Sequence, residues 1–250
     1  MKILKKLNLI LAIILIITLN SAYIQGNCNN SKKKVVYLTF DDGPSITNTN
    51  NIIDILNKNG VKGTFFVVGN KAMENKNILK KARNLGMSIY PHCNVHDYEK
   101  IYSSTDEYFK DLNLCENKIN NVLNEKLDFK FVRLPGGSTN RVGKQSVLSG
   151  IKKELKSRNV MYIDWNIDSG DATAANVSSE CIRKNIKNNA GAYRVEVVLM
   201  HDAEGKKSTV TTLENIINEY KLMNYEFKTL DNISNDEIQY LKDVKVINNN

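Results

Sequence analysis

The chain has 250 residues, of which 42% are hydrophobic, which is enough for one sizeable domain with its own core. Lys and Arg outnumber Asp and Glu by 35 to 27, and the net charge of +8 favours anionic partners, although a Lys- and Asn-rich composition set by genome bias would give the same balance. No basic cluster is interleaved with aromatic residues, which argues against nucleic acid as a partner.

The N-terminal segment 1–26 has the pattern of an export signal. Three lysines among the first six residues precede the apolar run LNLILAIILIITL at 7–19. A basic start and a short apolar core predict a secretory signal peptide or an uncleaved membrane anchor. The run is short for a full span, which needs about 20 residues. A lipid on Cys28 and a buried N-terminal helix are the alternatives, and we expect the domain to work outside the cytoplasm.

The elements that follow alternate between strands and helices. Residues 27–34 are polar and predict a linker, and residues 236–250 are expected to form a C-terminal tail. Helical patterns cover 103–127, where Ser104 and Glu107 suit a capping box, and 209–225. Short apolar or β-branched runs predict seven strands, at 35–41, 63–69, 87–92, 129–134, 160–167, 195–201 and 226–230. This alternation predicts an α/β fold with parallel strands, in the form of a small or incomplete (β/α) barrel.

Four cysteines are widely spaced: Cys28, Cys93, Cys115 and Cys181. An exported protein can form disulfides, but four cysteines allow three pairings, among which the sequence does not choose. The absence of a CxxC pair argues against a zinc–cysteine site. Cys115 and Cys181 lie in helical patterns, so we expect both to pack in the core.

Ionisable side chains stand at or just after the carboxyl ends of five predicted strands. In a (β/α) barrel these strand ends form the active site, so we expect the side chains to converge. The chain's only three histidines all belong to this set, which strengthens the expectation. Its members are Asp41, Asp42, His92, His96, Arg133, Asp168, Asp171 and His201.

His92 and His96 are four residues apart, which on a helical turn places two imidazoles on one side, as metal ligands require. Two histidines and one carboxylate make a facial metal site with open positions. Zinc suits these ligands best, and cobalt, manganese or iron would also fit. Neighbouring residues on an extended strand point in opposite directions. We therefore expect one of Asp41 and Asp42 to bind the metal and the other to act as a general base, kept ionised by a cation such as Arg133.

The remaining groups suit the hydrolysis of an amide or ester. A backbone N–H in the PGG turn at 135–137 could donate to an oxyanion. An amine leaving group needs a proton, which a protonated His201 could give if Asp171 or Asp168 raised its pKa. A non-haem iron oxygenase would also use two histidines and one carboxylate, but it would not need Arg133 or His201.

Five short motifs occur in an order and spacing that resemble those of the polysaccharide deacetylases. These are the NodB-homology proteins of carbohydrate esterase family four. The resemblance covers about residues 33–230, and it implies a catalytic domain over 35–235 with a distorted (β/α) barrel that removes N- or O-acetyl groups from sugar polymers. The motifs are TFDDGP at 39–44, HCNVH at 92–96, RLPGG at 133–137, DSGDA at 168–172 and LMH at 199–201.

The resemblance also implies a division of roles. By position, Asp41 is the catalytic base, and Arg133 orients and charges it. The metal ligands are Asp42, His92 and His96.

Four further residues take their implied roles from the same motifs. Gly136 donates its backbone N–H to the oxyanion, and Leu199 lines the acetyl pocket. His201 is the general acid, and Asp171 tunes it.

Three residues depart from the usual pattern of this family. Cys93 stands where Ser or Thr usually follows the first histidine, which puts the rigidity of that loop in doubt. Gly136 replaces a common Tyr, and Ala172 replaces a Trp, which opens the acetyl pocket. Trp165, the only Trp, is either a core residue or part of the pocket lining.

The sequence therefore predicts a metal-dependent deacetylase acting on N-acetylglucosamine residues of an extracellular glycan, with peptidoglycan as the leading substrate. Chitin oligosaccharides, exopolysaccharide and O-acetylated xylan are the alternative substrates, because deacetylases that act on them use the same motifs. A non-catalytic glycan-binding relative is the alternative from a different class. We expect a monomer at the cell surface or outside the cell, which touches the membrane only if segment 1–26 stays uncleaved.

Overall fold

The computed structural model describes residues 32–248 of the chain. The predicted export signal at 1–26, most of the predicted linker at 27–34, and Cys28 lie outside these residues. Within residues 32–248, no helix combines the length and the apolar character needed to cross a membrane.

Parallel strands form one main sheet and one small sheet. The main sheet has the order β3-β2-β1-β7-β6, with β8 also paired to β1, and the small sheet pairs β4 with β5. The strands are β1 Val35–Asp41, β2 Thr64–Val68, β3 Ser88–Cys93, β4 Phe131–Val132, β5 Met161–Tyr162, β6 Ile167–Asp168, β7 Val195–His201 and β8 Glu226–Lys228.

Strand β1 is the centre of the main sheet. All seven of its residues are buried, which explains why its sequence is a continuous apolar run rather than an alternating one. Along one edge it pairs with β7 over its full length, from Val35 opposite Val195 to Asp41 opposite His201. It pairs with β8 at its start and with β2 at its end, so the sheet curves around it as expected for a distorted barrel.

The predicted strand at 160–167 is two short strands in the structure. Met161–Tyr162 pairs with β4, whereas Ile167–Asp168 pairs with β7 in the main sheet. The chain changes sheets between them, where the Asp164 N–H donates to the Val246 carbonyl instead of to a neighbouring strand. The described residues therefore contain eight strands rather than seven, and the predicted α/β class with a distorted (β/α) barrel is confirmed.

Helices connect the strands and cover the sheet. The longest, α5, begins after Ser104, whose hydroxyl accepts from the Glu107 N–H as one half of the predicted capping box. A second, smaller apolar cluster fills the space between α4, α5, α6 and the small sheet. The helices are α1 Asn48–Lys58, α2 Gly69–Glu74, α3 Lys76–Asn84, α4 Tyr98–Ile101, α5 Thr105–Leu123, α6 Gln145–Ser157, α7 Ser179–Asn189, α8 Lys207–Leu222 and α9 Asn235–Asp243.

Three cysteines within the described residues are free thiols. Cys115 is buried on α5, as expected, and Cys93 is buried at the end of β3. The expectation that Cys181 packs in the core is wrong, because the buried face of α7 is formed by Ile182 and Ile186 and leaves Cys181 exposed.

The segment expected to be a C-terminal tail packs against the domain through residues 236–248. Helix α9 opens with a capping box between Ser234 and Glu237, and the Glu237 carboxylate accepts from the Tyr37 hydroxyl at 3.0 Å. Leu241 is fully buried, and Ile247 forms an antiparallel bridge with Ile163. These contacts place the last described residues beside the segment that separates β5 from β6.

Replacing Leu241 by Ala tests this packing. The change removes a fully buried side chain, and we expect a loss of about 2–5 kcal/mol in the free energy of unfolding, measured by denaturant titration. Leu222→Ala is the matched control, because Leu222 is 78% exposed and its loss should change stability by less than about 0.5 kcal/mol. Equal effects of the two changes would mean that α9 does not contribute to the core.

Candidate active site

A cleft of about 280 Å³ lies at the carboxyl ends of β1, β3 and β7. Nine of the eleven residues predicted to form the site line it: Asp41, Asp42, His92, His96, Gly136, Trp165, Asp168, Leu199 and His201. The other two, Arg133 and Asp171, are buried and bond directly to Asp41 and His201. The predicted residues are therefore brought together at one end of the sheet.

The turn after β1 brings both aspartates to the same cleft. Asp41 is the last residue of the strand, but Asp42 has a φ of 75° and lies in the left-handed region. The alternation of an extended strand therefore does not apply to this pair. Hydrogen bonds to β2 fix the turn, from the Asp42 N–H to the Phe66 carbonyl and from the Val68 N–H to the Gly43 carbonyl.

Asp42, His92 and His96 form a group that could hold a metal ion. Their nearest ligand atoms lie within 4.8 Å of one another, and Asp42 Oδ1 is 3.3 Å from His92 Nε2 and 3.2 Å from His96 Nε2. Within residues 32–248, Asp42 Oδ1 is buried without a hydrogen-bond partner. His92 Nδ1 lies 2.8 Å from the Arg133 carbonyl, which can only accept, so Nδ1 bears the proton and Nε2 presents its lone pair. One carboxylate oxygen and two imidazole nitrogens thus face one point, and this donor set fits a divalent cation.

The loop that joins the two histidines is held from helix α5. The Asp111 carboxylate accepts from the Asn94 N–H at 2.6 Å and from the Val95 N–H at 3.2 Å, and Lys118 donates to the Asn94 side chain at 2.7 Å. Asp111 was not predicted from the sequence, because it lies far along the chain from the loop. The one sequence feature that could have indicated Asp111 is its position, as an acidic residue, next to the apolar face of α5. In the structure only 6% of Asp111 is exposed.

Cys93 does not weaken this loop in the way the sequence suggested. It is buried, and the contacts from Asp111 supply the restraint for which a hydroxyl at position 93 was expected. Burial also raises the pKa of the Cys93 thiol well above its ordinary value. Within the described residues, Cys93 is not part of the group whose ligand atoms lie within 4.8 Å of one another, so its thiol is not placed to share a cation with the two histidines.

Arg133 is completely buried, and its guanidinium is surrounded by acceptors. Nη1 donates to Asp41 Oδ1 at 3.0 Å and to Thr39 Oγ1 at 2.6 Å. Nε donates to the Ile163 carbonyl at 3.1 Å, and Nη2 donates to the Asp164 carbonyl at 3.0 Å. The expected pairing of Arg133 with Asp41 is present, and it is a buried charge pair rather than a surface one.

His201 is paired with Asp171 rather than with Asp168. His201 Nδ1 lies 2.7 Å from Asp171 Oδ1, and Asp171 Oδ2 accepts from the His201 N–H and from the Thr209 hydroxyl, each at 2.7 Å. Asp168 instead accepts from the Gly170 N–H. Burial by itself would lower the pKa of His201. The hydrogen bond to Asp171 and the negative charges of Asp171, Asp41 and Asp42 outweigh this effect and raise the pKa of His201 to about 9. The imidazole is therefore cationic at neutral pH.

The remaining predicted residues form the walls of the cleft. Gly136 has a φ of 75°, and within the described residues its N–H donates to no protein acceptor. Trp165 lines the cleft and also packs against the larger core cluster, so both of its expected roles are realised. Leu199 and Ala172 line the same cleft beside His201.

Known proteins share both the sequence and the fold. The sequence profile named Polysaccharide deacetylase matches residues 28–149. A peptidoglycan-N-acetylglucosamine deacetylase of Bacillus cereus is 31% identical over 201 residues, which cover 79% of this chain and 67% of that protein. The chain belongs to the polysaccharide deacetylase family and is a hydrolase of that class.

Two solved structures agree with this assignment. The catalytic domain of a peptidoglycan N-acetylglucosamine deacetylase from Eubacterium rectale has a TM-score of 0.73 and 32% identity, covering 81% of this chain and 90% of that one. A CE4 esterase from Streptococcus mutans has a TM-score of 0.72 and 29% identity, covering 79% of this chain and 86% of that one.

The hydrogen bonds that Asp111 accepts from the loop between the two histidines give a testable prediction. Asp111→Asn places an amide nitrogen against one of the two backbone N–H groups, so the loop between the histidines should loosen, and Zn²⁺ binding measured by calorimetry should weaken by about tenfold. Asp128→Asn is the control, because Asp128 is exposed and makes none of the hydrogen bonds that hold the loop, and it should leave the affinity unchanged. Equal Zn²⁺ affinity in the two variants would contradict a positioning role for Asp111.

Proposed function

We propose that the protein is a metal-dependent deacetylase that hydrolyses the acetamide of N-acetylglucosamine residues in an extracellular glycan, with peptidoglycan as the substrate. The proposal rests above all on the cation-binding group Asp42–His92–His96, which shares one cleft with a buried Arg133–Asp41 pair and a His201–Asp171 pair. The two relatives described as peptidoglycan N-acetylglucosamine deacetylases support the choice of glycan.

Asp42, His92 and His96 would hold the cation, and Zn²⁺ is the first candidate, with Co²⁺, Mn²⁺ and Fe²⁺ as alternatives. A divalent ion bound there would supply Lewis acidity for the acyl oxygen and would make a nearby water easier to deprotonate.

Asp41 is suited to the role of general base. Arg133 binds Oδ1, and Oδ2 has no protein partner within the described residues, so this oxygen is available to accept a proton from the attacking water. The buried guanidinium also restricts the rotation of the Asp41 carboxylate, because it is itself fixed by Thr39 and by two backbone carbonyls. The base is thereby oriented before substrate binds.

His201 is suited to the role of general acid. Its Nδ1 is bound to Asp171, so the proton on Nε2 is the one available to the leaving amine. The Gly136 N–H would donate to the oxyanion, and Leu199 with Ala172 would contact the acetyl methyl group. Base, acid and oxyanion donor are all needed for amide hydrolysis, whereas an oxygenase or a purely glycan-binding protein would not need the Arg133 and Asp171 pairs.

We also propose that the protein acts at the cell surface or outside the cell as a monomer, either secreted or anchored by residues 1–26. The basic N-terminal start and the apolar run at 7–19 support export. The net charge of +8 would favour association with an anionic cell wall.

Acetate release from purified peptidoglycan tests the activity. We expect release with Zn²⁺, loss of release with a chelator and recovery when the metal is restored, because Asp42 and the histidines would be left without their cation. Asp41→Asn should lower the rate by about 10²–10⁴-fold, since the carboxamide cannot accept the proton, and Asp128→Asn should not change it. Chitin oligosaccharides and acetylated xylan assayed in parallel identify the preferred polymer.

Three results would contradict the proposal. One is full activity in Asp41→Asn. Another is glycan binding without turnover under any metal, which would favour the non-catalytic alternative. The third is oxygen consumption with iron and no release of acetate, which would favour an oxygenase.

The pH dependence tests His201 and Asp171 separately. His201 is the active acid only while protonated, so its raised pKa should sustain activity until the pH rises through about 9. Asp171→Asn removes the negative charge, and the alkaline limb should move to lower pH, toward the ordinary histidine value of about 6.5. The profile of kcat against pH measures the shift, and an unchanged alkaline limb in Asp171→Asn would rule out His201 as the titrating acid.

A further inference from the structure

Tyr98 lines the cleft, although it was not among the site residues predicted from the sequence. It is the first residue of helix α4, two positions after His96, and its ring meets the His96 ring edge-on at 5.0 Å with an interplanar angle of 89°. On its other side it packs against Tyr102 at 6.2 Å. The ring is therefore held in place between a candidate metal ligand and the smaller apolar cluster.

Tyr98 occupies the space that a side chain at position 136 would need. A Cβ atom at Gly136 would lie 3.2 Å from Tyr98 Cε1 and 3.3 Å from its hydroxyl oxygen. On the other side of the turn, a Cβ atom at Gly137 would lie 3.0 Å from the Trp165 ring. Both glycines also have positive φ values, of 75° and 82°, so the turn exposes bare backbone between two aromatic side chains.

Within residues 32–248 the hydroxyl of Tyr98 has no hydrogen-bond partner, unlike the hydroxyl of Tyr102. Tyr102 donates its hydroxyl to the Pro135 carbonyl at 2.8 Å and so holds the glycine turn from behind. Tyr98 approaches the same turn from the cleft, and its hydroxyl is left as a donor next to Gly136. A polar group fixed at the wall of a binding cleft without a protein partner is suited to bind a ligand oxygen.

We propose that Tyr98 is a substrate-contacting residue whose hydroxyl donates a hydrogen bond to an oxygen of the acetylated sugar bound beside Gly136. The inference rests on the proposed function, because it takes the cleft to be the place where the acetylated sugar binds. The acceptor is either the acyl oxygen or a hydroxyl of the sugar ring, and both are oxygen acceptors within the chemistry of that substrate. Tyr98 and Trp165 then form the two aromatic walls of the site, on either side of the turn at 136–137.

Tyr98→Phe removes the hydroxyl and keeps the ring against His96, so folding and the metal site should be preserved. We expect kcat/KM on acetylated chitooligosaccharide to fall by about tenfold, the usual effect of losing one hydrogen bond to a substrate. Tyr193→Phe is the matched control, because Tyr193 is partly exposed and does not line the cleft, and it should retain full activity. A small aryl acetate locates the acceptor: an equal loss on this substrate assigns the acyl oxygen, and a loss on the glycan alone assigns a sugar hydroxyl.

Binding measured without turnover separates this inference from the proposed function. Calorimetry of Asp41→Asn against Asp41→Asn/Tyr98→Phe, with Zn²⁺ present, should show weaker binding of the same oligosaccharide to the double variant. If the unmodified protein releases no acetate but this difference persists, the proposed function fails and the role of Tyr98 stands. If turnover and binding change by less than about twofold in Tyr98→Phe, or if Zn²⁺ affinity falls by as much as kcat/KM does, the role of Tyr98 is overturned.

Discussion

The site is organised around the buried guanidinium of Arg133. A fully buried cation is tolerated only when its charge and its donors are satisfied, and here Asp41, Thr39 and two backbone carbonyls surround it. Its guanidinium also lies 4.2 Å from the Phe66 ring. The carbonyl of Arg133 fixes the tautomer of His92, so Arg133 links Asp41, the proposed base, to the candidate metal centre.

The two adjacent carboxylates after β1 are compatible because each has a different electrostatic partner. Asp41 is paired with the permanent positive charge of Arg133. Asp42 faces the imidazoles of His92 and His96 and is suited to bind a metal cation together with them. The left-handed backbone at Asp42 makes this possible, because it lets both side chains reach the cleft from consecutive positions. The fixed strand register then places His201 opposite Asp41, so the proposed acid and the proposed base lie on neighbouring strands of the same sheet.

Several supporting contacts were not visible in the sequence. Asp111 holds the loop between the histidines from a separate helix, and Thr39 binds the guanidinium from within a buried strand. Tyr98, the first residue of α4, fills the space next to Gly136, which lies 38 positions later in the chain. Each of these residues acts across a long interval of chain, and apolar periodicity and motif spacing report only what is local.

The sequence by itself determined the α/β class, most of the strand positions and the convergence of the ionisable residues, because strand runs, helical periodicity and short motifs are local patterns. The division of 160–167 between two sheets and the packing of residues 236–248 were decided by tertiary contacts, in which Ile163 pairs with Ile247. The choice of Asp171 over Asp168 as the partner of His201 was decided in the same way, since Asp168 ends β6 and Asp171 follows three residues later, and only the folded chain directs one of them to the imidazole. Local patterns select which residues reach the end of the sheet, and three-dimensional packing selects which of them touch.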